Sequence, residues 1–342
     1  MNMRGMNIFE LTRALIDIDS VTPNEEAVGN YLFDHLSEIA GATGGHVEHM
    51  EVEPRRFNVF AWWDRPVVTF STHMDTVPPF YPSSEDGELI RGRGACDTKG
   101  IIASMITAVE QLLAAGERRA ALLFVIGEER NSAGAMAAAK QPRGSRYLIN
   151  GEPTDNKLAL GSKGALRYEV IARGRMAHSA YPHLGESAIE KLLDALEQIR
   201  RLPLPRDPMF GPGTLNIGTL QGGRAPNVIP DYAMAEIFFR LVDNGSATRD
   251  AMANLKTCVE LREVGCLPAL KFSTLDGFET CMVSFLSDIT AFDGSWGTPF
   301  LIGPGSIHVA HTAEERVAKS ELIEAVEIYK NMARRLVKRG NQ

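Results

Sequence analysis

Short apolar runs broken by polar residues recur in the first half of the chain, and another lies near its end. Runs this short and this apolar are typical of strands covered on both faces of a largely parallel sheet. A helical pattern over 98–115, ending at Gly116, lies between the first two runs. Strand, helix and strand in alternation predict an α/β layer fold. The predicted strands are 67–71, 121–126, 147–149 and 300–302.

Helical patterns flank these strands, and a segment with a different pattern of strands and a helix is inserted between the third strand and the fourth. We expect helices over 6–18 and 23–40 at the start and over 320–338 at the end. Between the predicted strands 147–149 and 300–302 we expect a further strand near 166–171, an amphipathic helix over 185–202 and strands near 215–219 and 234–240. The sequence therefore predicts a larger α/β domain, with a mostly parallel sheet flanked by helices, and an inserted smaller α+β domain. The expected boundaries are 1–163 with 276–342 for the first domain and 164–275 for the second.

Composition and charge narrow the function classes. The 342 residues carry a net charge of −7 with dispersed basic residues, which argues against a nucleic-acid partner. No apolar run reaches the roughly 18–20 residues that cross a bilayer, so no membrane association is expected. Polar residues interrupt the N-terminal apolar pattern, which does not resemble a signal peptide. The four cysteines show no paired spacing, and we expect a reduced, cytoplasmic protein.

Acidic residues and histidines follow the predicted strands. Open α/β sheets bind their ligands at the carboxyl ends of strands, so these side chains should meet in one cleft. Several carboxylates in one cleft are costly unless cations neutralise them, and histidine with carboxylate favours zinc or a similar ion. The residues are His73 and Asp75, then Glu128 and Glu129, then Glu152, then His308 and His311, with Asp97 at the start of the first helix after the sheet begins.

Two spacings within this set have a physical use. Asp75 can accept a hydrogen bond from the second ring nitrogen of His73, which fixes the ring as a ligand. The adjacent Glu128 and Glu129 can point in different directions, one toward a metal and one toward a metal-activated water as general base. Asp97 could also cap the helix that begins near Thr98.

Five segments, in order along the chain, resemble the motifs of the acetylornithine deacetylase, succinyl-diaminopimelate desuccinylase and carboxypeptidase family. The segments are 71–78, 92–100, 127–129, 152–154 and 303–311. The resemblance implies two zinc ions, with cobalt or manganese as possible substitutes, bridged by Asp97. It assigns the remaining ligands as His73 and Glu152 on one ion and Glu129 and His311 on the other, with Glu128 as general base and Asp75 as the orienting residue. His308 is the alternative to His311 as the last ligand.

The inserted domain resembles the lid and dimerisation domain of the same family. The segment 174–182 contains His178, which by resemblance stabilises the reaction oxyanion in a partner subunit, so a homodimer is expected. Substrate carboxylate binding is assigned by resemblance to Asn227, Arg240 and the backbone of Gly303 and Gly305. A guanidinium is well shaped for a carboxylate.

The predicted function is cleavage of the amide bond of an N-acyl amino acid by zinc-activated water. Segment 303–311 most resembles acetylornithine deacetylase, which would place the protein in arginine biosynthesis. Succinyl-diaminopimelate desuccinylase, carrier-protein lysine or ornithine hydrolase and di- or carboxypeptidase activities stay open within the family. A non-catalytic binding protein is the alternative from a different class, although the six metal-site positions are intact.

Overall fold

The computed structural model of the protein describes residues 6–340, which divide into two compact units. The first unit contains the described chain up to Leu160, together with Phe272–Cys281 and the chain from Ser287 onward. The second unit contains Gly161–Lys271 and Met282–Leu286. The second unit is therefore an insertion in the sequence of the first. Within residues 6–340, helices that combine the length and the apolar character needed to span a bilayer are absent.

The described residues form the following helices and strands. The helices are α1 Ile8–Ile16, α2 Glu26–Thr43, α3 Gly100–Ala114, α4 Ala133–Ala139, α5 Ala188–Arg200, α6 Ser246–Ala253, α7 Ile289–Phe292 and α8 Lys319–Arg339. The strands are β1 His46–Glu53, β2 Arg56–Trp62, β3 Val68–His73, β4 Ser84–Glu85, β5 Leu89–Arg91, β6 Ala120–Val125, β7 Tyr147–Asn150, β8 Leu158–Ser162, β9 Gly164–Arg173, β10 Ala177–His178, β11 Arg206–Asp207, β12 Gly211–Pro212, β13 Thr214–Gly222, β14 Val228–Ile229, β15 Tyr232–Leu241, β16 Glu260–Leu267, β17 Leu270–Lys271, β18 Thr280–Val283, β19 Thr298–Leu301 and β20 Arg316–Ala318.

A six-stranded sheet in the order β1-β2-β6-β3-β7-β19 forms the centre of the first unit. The strands β6, β3, β7 and β19 run parallel, and the hairpin β1-β2 adds an antiparallel edge. All six residues of β3 and of β6 are buried. Helices cover both faces of the sheet. Alternate residues of one strand point to opposite sides, so Leu122 and Phe124 enter one apolar cluster, and Leu123 and Val125 enter another.

The predicted fold class, a mostly parallel sheet flanked by helices with an inserted α+β unit, is confirmed. Two details differ from the sequence prediction. The hairpin β1-β2 is not among the predicted strands: β1 is mostly exposed or half-exposed and has no continuous apolar run, whereas β2 is buried over 58–61 and contains the apolar residues 59–62. Helix α2 begins at Glu26 rather than 23 because the amide of Asn24 closes a turn onto the carbonyl of Val21.

The second unit contains a four-stranded antiparallel sheet in the order β13-β15-β9-β16. Helix α5 packs against β9 and β15. Its apolar face carries Leu192, Leu196 and Ile199 into a cluster with inward-facing residues of both strands. Along β15 buried and half-exposed residues alternate, so one face of the sheet is covered by the helix and the other presents the half-exposed side chains of Met234, Glu236, Phe238 and Arg240.

Candidate active site

The predicted site residues of the first unit lie at one edge of its sheet. His73 is the last residue of β3, and the segments carrying Glu128, Glu152 and His311 follow β6, β7 and β19. Because these four strands are parallel, their carboxyl ends share that edge. The four segments therefore meet at one edge of the sheet, as the sequence predicts.

His73 is buried and has both ring nitrogens engaged. Its Nε2 lies 3.1 Å from Oδ1 of Asp97, and its Nδ1 lies 2.9 Å from the backbone carbonyl oxygen of Asp75. Burial by itself would lower the pKa of His73, but the contact with Asp97 and the charges of Glu128 and Glu152 raise it well above its usual range. The site therefore favours positive charge at this ring.

Asp97 joins two histidines through its two carboxylate oxygens. The turn Ala95–Lys99 departs from helical dihedrals at Asp97 itself, where φ is −127° and ψ is 78°. Oδ1 meets His73, and Oδ2 lies 3.1 Å from Nε2 of His311. Burial opposes ionisation, yet hydrogen bonds from His311 and His73 lower the pKa of Asp97. The alternative of a plain helix cap does not describe Asp97, since α3 begins only at Gly100.

His311 closes the second half of the cluster. Its Nε2 contacts Oε1 and Oε2 of Glu129, each at 3.2 Å, in addition to Asp97. Hydrogen bonds that the ring donates to Asp97 and Glu129 raise the pKa of His311 to about 10. The residue has a φ of 63°, a left-handed conformation that non-glycine residues rarely adopt, which is compatible with a functional constraint. His308 is exposed.

Asp75 has a role different from the one predicted. Its Oδ1 is 3.6 Å from Nδ1 of His73, farther than its own carbonyl oxygen, so the carbonyl and not the carboxylate accepts the ring hydrogen bond. The carboxylate instead accepts hydrogen bonds from the amides of Glu128 and Glu129, both at 3.2 Å, and from the Thr22 hydroxyl at 2.6 Å. The prediction that this carboxylate orients His73 is thus corrected: it holds the backbone of the paired glutamates.

The loop after β6 presents Glu128 and Glu129 in a fixed turn. Gly127 has a φ of 76°, and its carbonyl accepts the amides of residues 130, 131 and 132. Burial raises the pKa of Glu128 well above its usual range; the charge of His73 opposes the shift and that of Asp288 adds to it. A carboxylate with raised proton affinity is suited to hold a proton during a reaction.

Glu152 completes the set. It is 4% exposed, and its Oε1 has no hydrogen-bond partner among the described residues. Burial raises its pKa well above the usual range, with the charge of Glu128 as the next cause. A buried carboxylate oxygen without a donor is costly, and a cation would remove that cost.

The donor set fits a metal centre. Ligand atoms of His73, Asp97 and Glu129 lie within 4.8 Å of one another. Burial favours the protonated form of Glu152, and the two histidines favour their cationic forms, so the cluster as a whole requires added positive charge. Divalent cations supply that charge, and nitrogen with carboxylate oxygen is a donor set that zinc accepts. Because Asp97 offers one oxygen to each histidine, it is placed to join two ions.

Gly303 and Gly305 are buried, and Gly303 is engaged elsewhere. The amide of Gly303 donates to the hydroxyl of Thr154 at 3.0 Å, so it is not available to a substrate carboxylate and the prediction for it is wrong. At Gly305 the φ of 82° and a closest approach of 2.4 Å between an added Cβ and Cβ of Cys96 leave no room for a side chain. The glycines permit close packing of the loop that leads to His311.

His178 and Asn227 lie together in the second unit. His178 ends β10 opposite Val228 of β14, and the next amide, of Ser179, donates to the carbonyl of Asn227 at 3.0 Å. Both His178 and Asn227 are exposed. The imidazole Nδ1 accepts the Ala180 amide at 3.1 Å, which leaves Nε2 as the nitrogen directed away from this turn.

Arg240 lines a cavity of about 500 Å³ on the half-exposed face of the same sheet. Its guanidinium lies 4.8 Å from the centre of the Phe238 ring, a cation–π contact. Burial lowers the pKa of Arg240. Arg167, also in the cavity, is paired with Glu236, so Arg240 is the better placed of the two to receive an anion. The remaining lining residues are Thr214, Asn216, Gly218, Thr219 and Ile237.

The strand register separates the two regions of this sheet. Arg240 pairs with Ala165 at one end of β15, and Tyr232 pairs with Arg173 at the other end. The segment with His178 continues from Arg173. Eight residues of strand span about 26 Å, which is much longer than an amino acid. One copy of the sheet therefore holds His178 and Arg240 at opposite ends.

Three buried charged residues near the site are absent from the sequence prediction. Asp288 is 1% exposed, and neither of its carboxylate oxygens has a hydrogen-bond partner among the described residues. Arg93 and Glu315 form a buried ion pair. Glu315 lies four residues after His311, a proximity that could have drawn attention to it, whereas the segment around Asp288 carries no recognisable pattern.

Comparison with known proteins places these features in context. Residues 160–263 match the family model described as a peptidase dimerisation domain. A peptidase M20 domain-containing protein of Schizosaccharomyces pombe is 36% identical over 340 residues, which cover 96% of this chain and 84% of the relative. A protein of Aspergillus oryzae named "Probable carboxypeptidase" is 34% identical, covering 94% of this chain and 85% of the relative. The M20 family metallo-carboxypeptidase of Sulfolobus solfataricus has a similar fold, with a TM-score of 0.75 at 14% identity, over 96% of this chain and 98% of that structure.

Proposed function

The chain belongs to the peptidase M20 family of metallohydrolases, and we propose that it hydrolyses an amide bond adjacent to a free amino-acid carboxylate at a two-metal site. One observation carries this proposal: the two oxygens of Asp97 each meet a histidine at 3.1 Å, within a buried group of carboxylates. We assign one metal to His73 and Glu152, the other to Glu129 and His311, and the bridge to Asp97. Zinc is the proposed metal, with cobalt or manganese as substitutes.

The metals, when bound, would supply Lewis acidity to the scissile carbonyl and to water. Glu128 is the proposed base: it accepts the proton that water loses as the water oxygen bonds to the carbonyl carbon. It then delivers that proton to the amide nitrogen as the carbon–nitrogen bond breaks, which releases a carboxylate and an amine. The raised pKa of Glu128, caused first by burial, suits both transfers. Asp75 holds the amide of Glu128 and so keeps the base in place.

We propose that His178 and Arg240 act on the substrate from different copies of the chain. Arg240 would bind the substrate carboxylate, and Asn227 and Gly305 remain candidates to assist. His178 would donate a hydrogen bond to the developing oxyanion of a partner subunit. The register supports this division, since one copy holds the two residues at opposite ends of β15. The match to a peptidase dimerisation domain supports a homodimer.

The substrate proposal favours short peptides. The 34% identical relative named for carboxypeptidase activity supports cleavage of a C-terminal amino acid from a di- or oligopeptide. A second candidate is deacylation of an N-acyl amino acid such as acetylornithine, favoured by the sequence Ser-Ile-His-Val-Ala-His at 306–311. Both reactions leave a free α-carboxylate next to the amide, so the same residues serve either.

Metal removal and a substrate panel test the proposal. Chelator-treated protein should lose activity, and addition of zinc or cobalt should restore it with two ions bound per chain. The panel compares dipeptides and tripeptides with acetylornithine and succinyl-diaminopimelate, each as free acid and as C-terminal amide. Full turnover after complete metal removal would refute a metal mechanism, and equal rates on acids and amides would refute carboxylate recognition. The ratio of peptide to acyl-substrate kcat/KM decides between the two candidates.

A further inference from the structure

A buried ion pair connects the loops that carry three candidate metal ligands. Nη1 of Arg93 lies 2.5 Å from Oε2 of Glu315, and the two residues are 1% and 2% exposed. Burial raises the pKa of the Glu315 carboxyl, against the opposing effect of Arg93. An ion pair of this kind gains little stability over an apolar pair, because the desolvation of both charges offsets their attraction. Its use must lie in the geometry that it fixes.

Glu315 holds the turn that presents Asp97. Its Oε1 accepts the amide of Gly94 at 2.9 Å and the amide of Asp97 at 3.3 Å, and it lies 3.8 Å from Sγ of Cys96. The backbone of the bridging residue is therefore anchored by a carboxylate that belongs to the His311 loop. A shift of Glu315 would move Asp97 directly.

Arg93 reaches two other segments. Its Nε donates to the carbonyl of Pro79 at 3.2 Å, in the segment that follows His73. Its Nη1 also contacts the carbonyl of Thr312 at 3.3 Å, next to His311. The planar guanidinium can make these contacts simultaneously because its donors point in fixed, different directions. The pair thus links the segments of His73, Asp97 and His311.

We propose that Arg93 and Glu315 are positioning residues that hold Asp97 and His311 at the separation needed for one carboxylate to bridge two metal ions. The inference rests on the proposed two-metal function. Ligand geometry must be maintained to about 0.5 Å for a site to perform, and outer residues that orient ligands typically change metal affinity by about 10–100-fold. Because Glu315 contacts the backbone of Asp97, its loss should weaken the binding of both ions, and more strongly that of the ion assigned to His311.

The variants separate charge from shape. Glu315→Gln preserves volume but removes the charge that anchors the Gly94 and Asp97 amides. Arg93→Lys keeps a positive charge but loses the fork that reaches Pro79 and Thr312. The matched control is Glu117→Gln, which breaks a partly buried pair with Arg119. That pair precedes β6, at the end of the sheet opposite to the site.

The measurements are zinc titration calorimetry of metal-free protein and the visible absorption spectrum of the cobalt-loaded protein. We expect Glu315→Gln to lose about 10–100-fold in affinity for at least one ion and to change the cobalt spectrum. Arg93→Lys should show a smaller loss of the same kind, and Glu117→Gln should match the wild type. Two ions bound by both site variants with wild-type affinity and spectrum would overturn the proposal.

Two outcomes separate this inference from the proposed function. Wild-type protein that binds two ions but cleaves no amide would refute the proposed function and leave the positioning role measurable by titration. Wild-type protein that binds no second ion would overturn both. If Glu315→Gln fails to fold, judged by circular dichroism, Arg93→Lys decides: a folded protein with unchanged affinities and spectrum refutes the role of the pair.

Discussion

The candidate ligands of the first unit and the candidate substrate residues of the second unit differ in how their surroundings constrain them. Asp97 and Glu152 are buried, and the contacts of Asp97 with His73 and His311 leave it little freedom. His178 is exposed on a short ribbon, and Arg240 lines an open sheet face. The first region is built to hold charge at fixed distances. The second region can be changed without disturbing a packed core.

This difference predicts two classes of variant. Changes at the first region should alter metal content, stability or the chemical step, because each side chain there contacts other side chains of the cluster. Changes at the second should leave metal content and unfolding unaltered and act on substrate binding or on the transition state. The four predictions below test that division, beginning with the largest expected effect.

The first prediction contrasts the two adjacent glutamates. Glu128→Ala should lower kcat by about 10³-fold, the scale of a lost general base, while two metal ions remain bound. Glu129→Ala, one residue away, should lose metal because Glu129 contacts His311. Kinetics combined with metal analysis of both variants provides the check. Loss of metal in Glu128→Ala, or full turnover by it, would contradict the assignment of the base.

The second prediction concerns the exposed ribbon. His178→Ala should lower kcat by about 10²–10³-fold, as expected for one oxyanion donor, with unchanged metal content and unfolding. Mixing the His178→Ala and Glu128→Ala proteins, with exchange of subunits, should restore part of the activity. A mixed dimer would contain one site with an intact base and a partner's intact histidine. If mixing restores nothing although mixed dimers form, the histidine does not act across subunits.

Much of the fold and part of the site follow from sequence pattern. Buried strands such as β6 are continuous apolar runs, and parallel strands bring their following segments to one edge, which is why His73 and Glu152 could be predicted to converge. Strand β1 could not be predicted in this way, because it is mostly exposed or half-exposed and carries no continuous apolar run, whereas the apolar residues 59–62 of β2 carry the same signal as β6.

Local sequence patterns could not predict hydrogen bonds between residues that are distant in the sequence. The carboxylate of Asp75 bonds to amides more than 50 residues away, and the amide of Gly303 to the hydroxyl of Thr154. Spacing alone suggested a bond from Asp75 to its close neighbour His73, and the folded chain offered better donors. The orientation of a short side chain depends on which segments the fold brings beside it.

The third prediction tests the open sheet face. Arg240→Met should lower kcat/KM by about 10–100-fold on substrates with a free carboxylate, the scale of a charged hydrogen bond, and have little effect on the corresponding amides. Arg167→Met is the control, since Arg167 is already paired with Glu236 in the same cavity. Steady-state kinetics on acid and amide substrates measures the effect. An equal loss on both substrate types would contradict carboxylate recognition by Arg240.

The fourth prediction concerns the energetic cost of the first region. Burial raises the pKa of Asp288 from the usual 3.8 of an aspartate to about 7, against the opposing effects of the nearby Ser132 hydroxyl and of His73. Between these values the unfolded chain has released the proton that the folded chain still holds, so stability falls as pH rises from about 4 to about 7.

Asp288→Asn removes this titration, and the comparison with wild type isolates it. From pH 5 to pH 7 the wild type should lose about 2 kcal/mol of unfolding free energy relative to the variant, roughly a 30-fold change in the equilibrium constant. Urea unfolding at several pH values measures it, with chelator present so that no bound cation neutralises the carboxylate. Asp194→Asn, at an exposed position on α5 of the second unit, is the control: it retains Asp288, so its unfolding free energy should follow that of the wild type across this pH range. If the difference in unfolding free energy between Asp288→Asn and wild type stays constant from pH 5 to 7, burying the Asp288 carboxylate carries no energetic cost. The energetic contrast between the two regions would then not hold at this residue.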